Sequence, residues 1–566
     1  MGMRVVVVGG VAAGMSAACR LRRLDEHAEI VVLERGPHVS YASCGLPYHI
    51  SGTICDRDRL LVATPEMLAA RYALDVRVEH EAVAIDRPKR EVVVRDRRTA
   101  REYRLPYDRL LLAPGAAPAR LPIPGADHPR VLTLRSLADM DAILAAVAAA
   151  APQKAVVVGA GYIGLELAEA LCFAGLEATL VEAMPQVLPA ADPEMAVLLE
   201  HELERNGVDL CLGTRVTAIE TRGEGLAVRL SSGDELEAGL VVVAAGVRPE
   251  VDLAREAGLE CGPSGGIAVD NAMRTSDEAI LAAGDAVEVV DVVTGAPALV
   301  PLAGPASRQG RIAADTIAGR SSVYRGSQGT VICKVFELAI GMTGRSETAL
   351  AAAGVPHEKV YIFGGDHASY YPGAAPLYLK LLFDPRDGRI LGAQAVGSRG
   401  VDRRIDVLAV ALRAGLTVED LEHLELCYAP PFGSARDPVN LAGFAAAGAR
   451  GGDVALADVR EVAHPRPGQL VLDVRTGEEV AQGAIPGALH IPVDELRGRL
   501  GELPRDRELL VVCAVGQRGY VACRLLAQHG FACRNLSGGF ALLGLWKRAQ
   551  RRRAEAPAPT GQGVPQ

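Results

Sequence analysis

The chain holds eleven cysteines but no CxxC pair and no Cys/His cluster at metal-ligand spacing. An odd number of scattered cysteines excludes a disulfide framework and a zinc site, and fits a reducing compartment. Positive charge is not in excess. Lys and Arg number 60 against 69 Asp and Glu, a formal charge of −9, so the chain as a whole is not a nucleic-acid binder. Nor is there an apolar run long enough to span a bilayer, since the alanine-rich stretch at 142–151 is too short. The apolar start MGMRVVVVGGVAAGMSAAC carries glycines and a helical pattern, which marks a strand–turn–helix and not a signal peptide. Aromatics are scarce: eight Phe, thirteen Tyr and the single Trp546. Glycine is abundant, with 61 residues in a composition that is 49% hydrophobic. Over 566 residues this implies three or four well-packed α/β domains of a soluble, cytoplasmic protein with no membrane partner.

Two segments share one plan. Residues 4–34 run from a β-branched strand through Gly9, Gly10 and Gly14 into a small-residue helix, then a second strand ending at Glu34. Residues 154–182 repeat it through Gly159-x-Gly161-x-x-Gly164 and end at Glu182. Each reads as a βαβ opening in which glycines allow the tight turn and the helix N-terminus receives a pyrophosphate. The acidic residue lies 20 residues beyond Gly14 and 18 beyond Gly164, where a carboxylate can hydrogen-bond a ribose hydroxyl. The first copy departs from the pattern, with Val11 in place of the second glycine. Glu182 would repel a 2′-phosphate and no Arg stands nearby in EAMPQ, so NADH is favoured over NADPH. Two dinucleotide sites with the solitary Cys44 between them point to a flavoprotein passing electrons from NADH to a sulfur. The short strands LLLAPGAAP (110–118) and AILAAGDAVEV (279–289) agree, the second delivering Asp285 at a strand end.

These segments, together with SYASCGLPY, PLAGPASRQGRIAADTIAG and LELCYAPPFGSARDPVNLAG, resemble the flavoprotein disulfide reductases with two dinucleotide-binding domains. Within them the chain is similar to the CoA-disulfide reductase group, close to the NADH oxidases and peroxidases. The resemblance spans residues 3–443 and implies FAD, NADH and coenzyme A as cofactors and substrate. It implies a discontinuous FAD-binding domain (1–120 and 247–328), an NAD-binding domain (121–246) and an α+β dimerisation domain (329–445). FAD contacts would fall at Gly9, Gly10, Ala13, Gly14, Glu34 and Arg35, and at Val83, Ala113, Asp285 and Ala303. NAD contacts would fall at Gly159, Gly161, Ile163, Gly164, Glu182 and Gly246.

Cys44 is the redox candidate. Five positions on stands His49, and the next cysteine is Cys55, so an internal dithiol is not expected. Cys44 would cycle through a mixed disulfide with a small thiol, a persulfide or a sulfenic acid, and the turn near a helix start favours the reactive thiolate. The resemblance places CoA along the first helix, at Ser16, Arg20, Arg23, Ser40, Ser43 and Arg71, with Arg308 and Arg436 as further contacts. Arginines suit its phosphates. It also implies that Tyr370 and Tyr428 reach the sulfur site from the other subunit of a homodimer.

After a glycine-rich linker at 446–455 the pattern changes. QLVLDVR, GAIPGALHIP and ELLVVCAVGQRGYVACRLLAQHG give short buried strands, with Cys513 in a tight loop leading into a helix. Backbone N–H groups and a helix N-terminus there would stabilise a thiolate or persulfide. Residues 456–550 resemble a single α/β rhodanese (sulfurtransferase) domain, which makes Cys513 the sulfur acceptor and places Arg518 in its loop. Residues 551–566 read as a disordered tail. The sum is an NADH-dependent reductase of CoA disulfide or CoA persulfide fed by a sulfurtransferase. An NADH oxidase or peroxidase using a Cys44 sulfenic acid, and a sulfur-trafficking or redox-sensing protein, are the alternatives.

Overall fold

A computed structural model of the chain describes residues 2–150 and 153–555, arranged in two compact units. The first comprises Met1–Leu180 and Val216–Gly329, the second Val181–Arg215 and Thr330–Gln566.

In the first unit, five strands form a parallel sheet in the order Ile280–Ala282, Arg109–Leu112, Arg4–Val8, Glu29–Glu34, Asp75–Val78. Runs such as VVVV and IVVL are buried on both faces, as a covered parallel sheet requires. The helix Ala12–Arg22 follows the first strand and packs against the helix Ala303–Ile317. A Cβ on Gly310 would lie 2.1 Å from the Ala13 carbonyl oxygen, so only glycine permits this approach. The strands Lys154–Val158, Leu240–Val243 and Val131–Thr133 pair in parallel and begin the second dinucleotide-binding fold.

The second unit holds a five-stranded antiparallel sheet, in the order Val331–Val335, Leu338–Gly344, Ile390–Gly397, Pro376–Phe383, Glu358–Gly365. A separate parallel sheet, Ala455–Leu456, Cys533–Asn535, Glu508–Val512, Gln469–Asp473, Leu489–His490, forms the C-terminal domain. The two share a core: Tyr361 and Phe363 of the edge strand pack with Leu536, Leu542 and Leu543. A buried charge cluster lies in the same unit, where Lys380 Nζ meets Asp192 at 2.8 Å, Glu194 at 2.5 Å and Glu347 at 2.6 Å.

Two boundaries differ from expectation. The helix Pro438–Arg450 takes up the first half of the expected linker, because its small residues pack well enough to bury Ala442, Gly443 and Ala446. The last helix, Gly539–Glu555, continues through residues 551–555, and the remainder of the expected tail lies outside the described residues. Among the described residues no helix is long and apolar enough to cross a membrane.

Candidate functional site

The glycine loops divide their labour. A Cβ on Gly9 would sit 2.0 Å from the Ala113 oxygen, and one on Gly14 would sit 1.9 Å from the Gly9 oxygen. Gly159 (φ +104°) and Gly164 are equally crowded, by Ala244 and by Gly159. The first and third glycines therefore hold strand and helix together. Around Gly161 a Cβ would meet nothing within 4 Å, which leaves an open cradle at the start of the helix Tyr162–Phe173. That cradle fits a pyrophosphate. Ile163, 37% exposed, lies on the same first turn, and Gly246 (φ +98°) has equally open surroundings.

Glu34 reaches back over the first loop. Its Oε2 accepts the Gly10 N–H at 2.8 Å and its Oε1 the Gly36 N–H at 2.7 Å, which fixes the carboxylate at the strand tip. Glu182 likewise accepts the Met184 N–H at 2.8 Å. Arg35 forms a two-pronged pair with Glu250, and Asp285 pairs with Arg135 at 3.1 Å. Val83 sits at a bulge of its strand, and Ala303 is exposed at the start of its helix. The open phosphate cradle and the strand-end carboxylate of Glu34 suit dinucleotide cofactors.

Cys44 lies in a single tight turn, Ser43–Gly45, that leads into the helix Leu46–Ile50, and its thiol is exposed. All eleven cysteines are free thiols; Cys55 donates to the Gly52 oxygen at 3.1 Å. Tyr48, one turn beyond Cys44, donates to Glu166 Oε1 at 3.2 Å. Burial pushes the Glu166 carboxyl up to about 7, partly countered by that hydrogen bond.

The expected CoA contacts part company here. Ser16 bonds Ser307 at 2.9 Å, while Ser40 (φ +49°) and Ser43 frame the Cys44 turn. Arg23, Arg71, Arg308 and Arg436 are exposed. Arg20 donates to Asp315 at 2.9 Å, with 17% and 12% of the two side chains exposed, so it is paired within the chain. Tyr370 and Tyr428, 58 residues apart, meet hydroxyl to hydroxyl at 2.9 Å on an exposed face. Tyr371 instead meets the His367 ring edge-on and is 43% exposed, against 73% for Tyr370.

Cys513 follows the strand Glu508–Val512 and is 1% exposed. Its sulfur accepts the Gly516 N–H at 3.1 Å, and Gly516 (φ +105°) starts the helix Gln517–Gln528. Asn535 donates to the Gly516 oxygen at 3.1 Å, and Phe540 N–H to the Cys513 oxygen at 2.7 Å, so the loop is tied from behind. Arg518, on the first turn of that helix, is held by both oxygens of Glu479, at 2.8 and 2.6 Å.

Residues 3–310 match the pyridine nucleotide-disulphide oxidoreductase family, 330–438 its dimerisation domain and 454–543 the rhodanese-like domain. The chain belongs to the pyridine nucleotide-disulphide oxidoreductases. It is therefore an oxidoreductase of the FAD and pyridine-nucleotide type carrying a rhodanese-like domain. This oxidoreductase is 34% identical to the coenzyme A disulfide reductase of Staphylococcus aureus over 444 residues, 78% of this chain and 99% of that protein. It is also 34% identical to the NADH oxidase of Methanocaldococcus jannaschii over 441 residues, 78% of this chain and 98% of that one. Reduced CoADR-RHD of Bacillus anthracis superposes with a TM-score of 0.94 at 44% identity, covering 96% of this chain and 98% of that one. An NAD-dependent persulfide reductase from A. fulgidus gives 0.89 at 40% identity, covering 95% and 100%.

Glu479, Glu166 and Ser537 are absent from the residues that sequence reasoning selects. For Glu479 a local signal exists, the capping box Thr476-x-x-Glu479, although it says nothing of Arg518.

Proposed function

We propose that this oxidoreductase reduces CoA persulfide, and CoA disulfide, with NADH, and receives sulfane sulfur at Cys513. The observation that carries the reading is one chain holding an exposed, unbridged Cys44 and a second thiol cradled at a helix N-terminus. A lone thiol needs an outside sulfur partner to cycle. The names of the two reductase relatives support a CoA disulfide or a persulfide as that partner.

The Cys44 thiolate attacks the inner sulfur of CoA persulfide. The S–S bond breaks and hydrosulfide leaves with the bonding pair, so Cys44 holds CoA as a mixed disulfide. Bound FAD supplies the route by which the electron pair of NADH reaches that disulfide. Cys44 regains its thiolate and CoA takes the proton as its thiol, so CoA persulfide and NADH yield CoA, hydrosulfide and NAD⁺. Arg23, Arg71 and Arg308 are free to meet the CoA phosphates, and Glu182 disfavours a 2′-phosphate on the nicotinamide cofactor. Tyr370 and Tyr428, supplied by the second subunit, offer the one phenol proton left between them to the departing sulfur.

The test is anaerobic NADH consumption with CoA persulfide and CoA disulfide at equal concentration. Faster turnover on the persulfide, with sulfide released, is expected. Faster turnover on the disulfide would make CoA redox balance the main task. Negligible turnover with both, beside rapid consumption in air, would overturn the reading in favour of an NADH oxidase.

A further inference from the structure

Arg518 is the cation of the Cys513 loop, and its charge is spent. Both guanidinium ends pair with Glu479, whose carboxylate also accepts the Thr476 N–H at 2.8 Å. These donors hold Glu479 down to about 2, so it is anionic at every working pH. Asp494, on the helix Val493–Leu496, also acts on Arg518. Behind the loop Arg475 is 2% exposed, pairs with Asp473 at 2.7 Å and lies 3.8 Å over the Phe540 ring. Each arginine is thus matched by a carboxylate of its own, Arg518 by Glu479 and Arg475 by Asp473. A small dianion entering there finds neither guanidinium unpaired. The sulfur end of a long persulfide carries at most one charge, with its phosphates beyond roughly a Debye length, about 8 Å at physiological salt.

We infer that Glu479 sets donor specificity at Cys513, excluding small dianionic sulfane-sulfur donors such as thiosulfate and admitting the persulfide end of a larger thiol. The inference rests on the proposed sulfur-accepting role of Cys513. With a persulfide donor, the Cys513 thiolate takes the terminal sulfur and the donor thiolate leaves with the bonding pair. With thiosulfate the same attack expels sulfite. Both end in a Cys513 persulfide, and neither needs an oxidant.

The experiment loads the full-length protein without NADH, using thiosulfate or CoA persulfide, and follows the Cys513 peptide by mass spectrometry. Glu479→Gln keeps an oxygen for the Thr476 N–H and releases Arg518. It should speed thiosulfate loading roughly tenfold, chiefly through a lower half-saturating concentration, and that gain should shrink as salt rises. Loading from CoA persulfide should change less than about twofold. The double variant E479Q/R518Q should return thiosulfate loading to the wild-type rate, since the released cation is gone. An unchanged thiosulfate rate in E479Q, or a double variant that stays fast, would overturn the inference while leaving sulfur acceptance intact. Absence of any added sulfur on wild-type Cys513 with either donor would overturn both.

Discussion

Cys44 and Cys513 are both thiols at turns ahead of helices, yet one is exposed and the other 1% exposed. Exposure suits a thiol that must meet a large outside disulfide; burial suits one whose persulfide must be kept from water and stray thiols. Cys44→Ser should therefore abolish NADH-dependent persulfide reduction while Cys513 still takes up sulfur, read as NADH consumption against the mass of the Cys513 peptide. Loss of both would make the two sites one. A second residue-scale consequence concerns Glu200, buried at 2% exposure. Its Oε1 accepts the Val187 N–H at 3.3 Å, its Oε2 has no hydrogen-bond partner, and Arg552 stands 3.9 Å away. Burial pushes this carboxyl from its ordinary 4.5 up to about 7. The unfolded chain ionises Glu200 near its ordinary value, whereas the folded chain resists until about 7, so native stability falls across that window as pH rises. The cost above it is about 3 kcal/mol. Glu200→Gln keeps an acceptor for Val187 and removes the charge. Its melting temperature should match wild type near pH 4.5 and exceed it at pH 8; a difference independent of pH would refute the assignment.

At the scale of elements, the edge strand Glu358–Gly365 of the antiparallel sheet would expose unpaired backbone groups along its outer side. Ser537 meets two of them: its Oγ accepts the Tyr361 N–H at 2.8 Å and donates to the Tyr361 oxygen at 3.1 Å. Ser537→Ala should leave both groups buried without partners, a cost of about 1–3 kcal/mol, visible as faster amide exchange at Tyr361. Exchange unchanged there would show that water replaces the hydroxyl at no cost. The same contact shows where sequence reading stops. Gly159-x-Gly161-x-x-Gly164 and the Cys513 loop were legible because each packs its residues into one short strand–turn–helix, and the Cys44 turn because it runs straight into a helix. Tyr370 and Tyr428 are named only through resemblance, since nothing local to either tyrosine reports the other, 58 residues away. Ser537 lies 176 residues from Tyr361 and Glu479 lies 39 from Arg518, and no local pattern reports either meeting. Nor does any local pattern report that Arg20 pairs with Asp315, 295 residues away.

At the scale of the whole molecule, the question is whether one chain suffices for the Cys44 chemistry. The tyrosine pair stands on an exposed face of the second unit, 73% and 49% exposed, with its hydroxyls turned to each other. Two phenols bonded to each other leave one proton to offer. The matching dimerisation domain supports the proposal that each pair serves the other subunit's thiol across a two-fold axis. Complementation tests this directly. Cys44→Ser protein keeps its tyrosines and lacks the thiol; Y370F/Y428F protein keeps the thiol and loses the donors. Each alone should be slow, the tyrosine variant by about 10²-fold if the pair acts as general acid. Unfolded and refolded together, half of the dimers become mixed, and each mixed dimer holds one complete site of two. Activity should then recover to about a quarter of wild type. If both halves of the site come from one chain, mixing restores nothing, and the rate remains the average of the two variants.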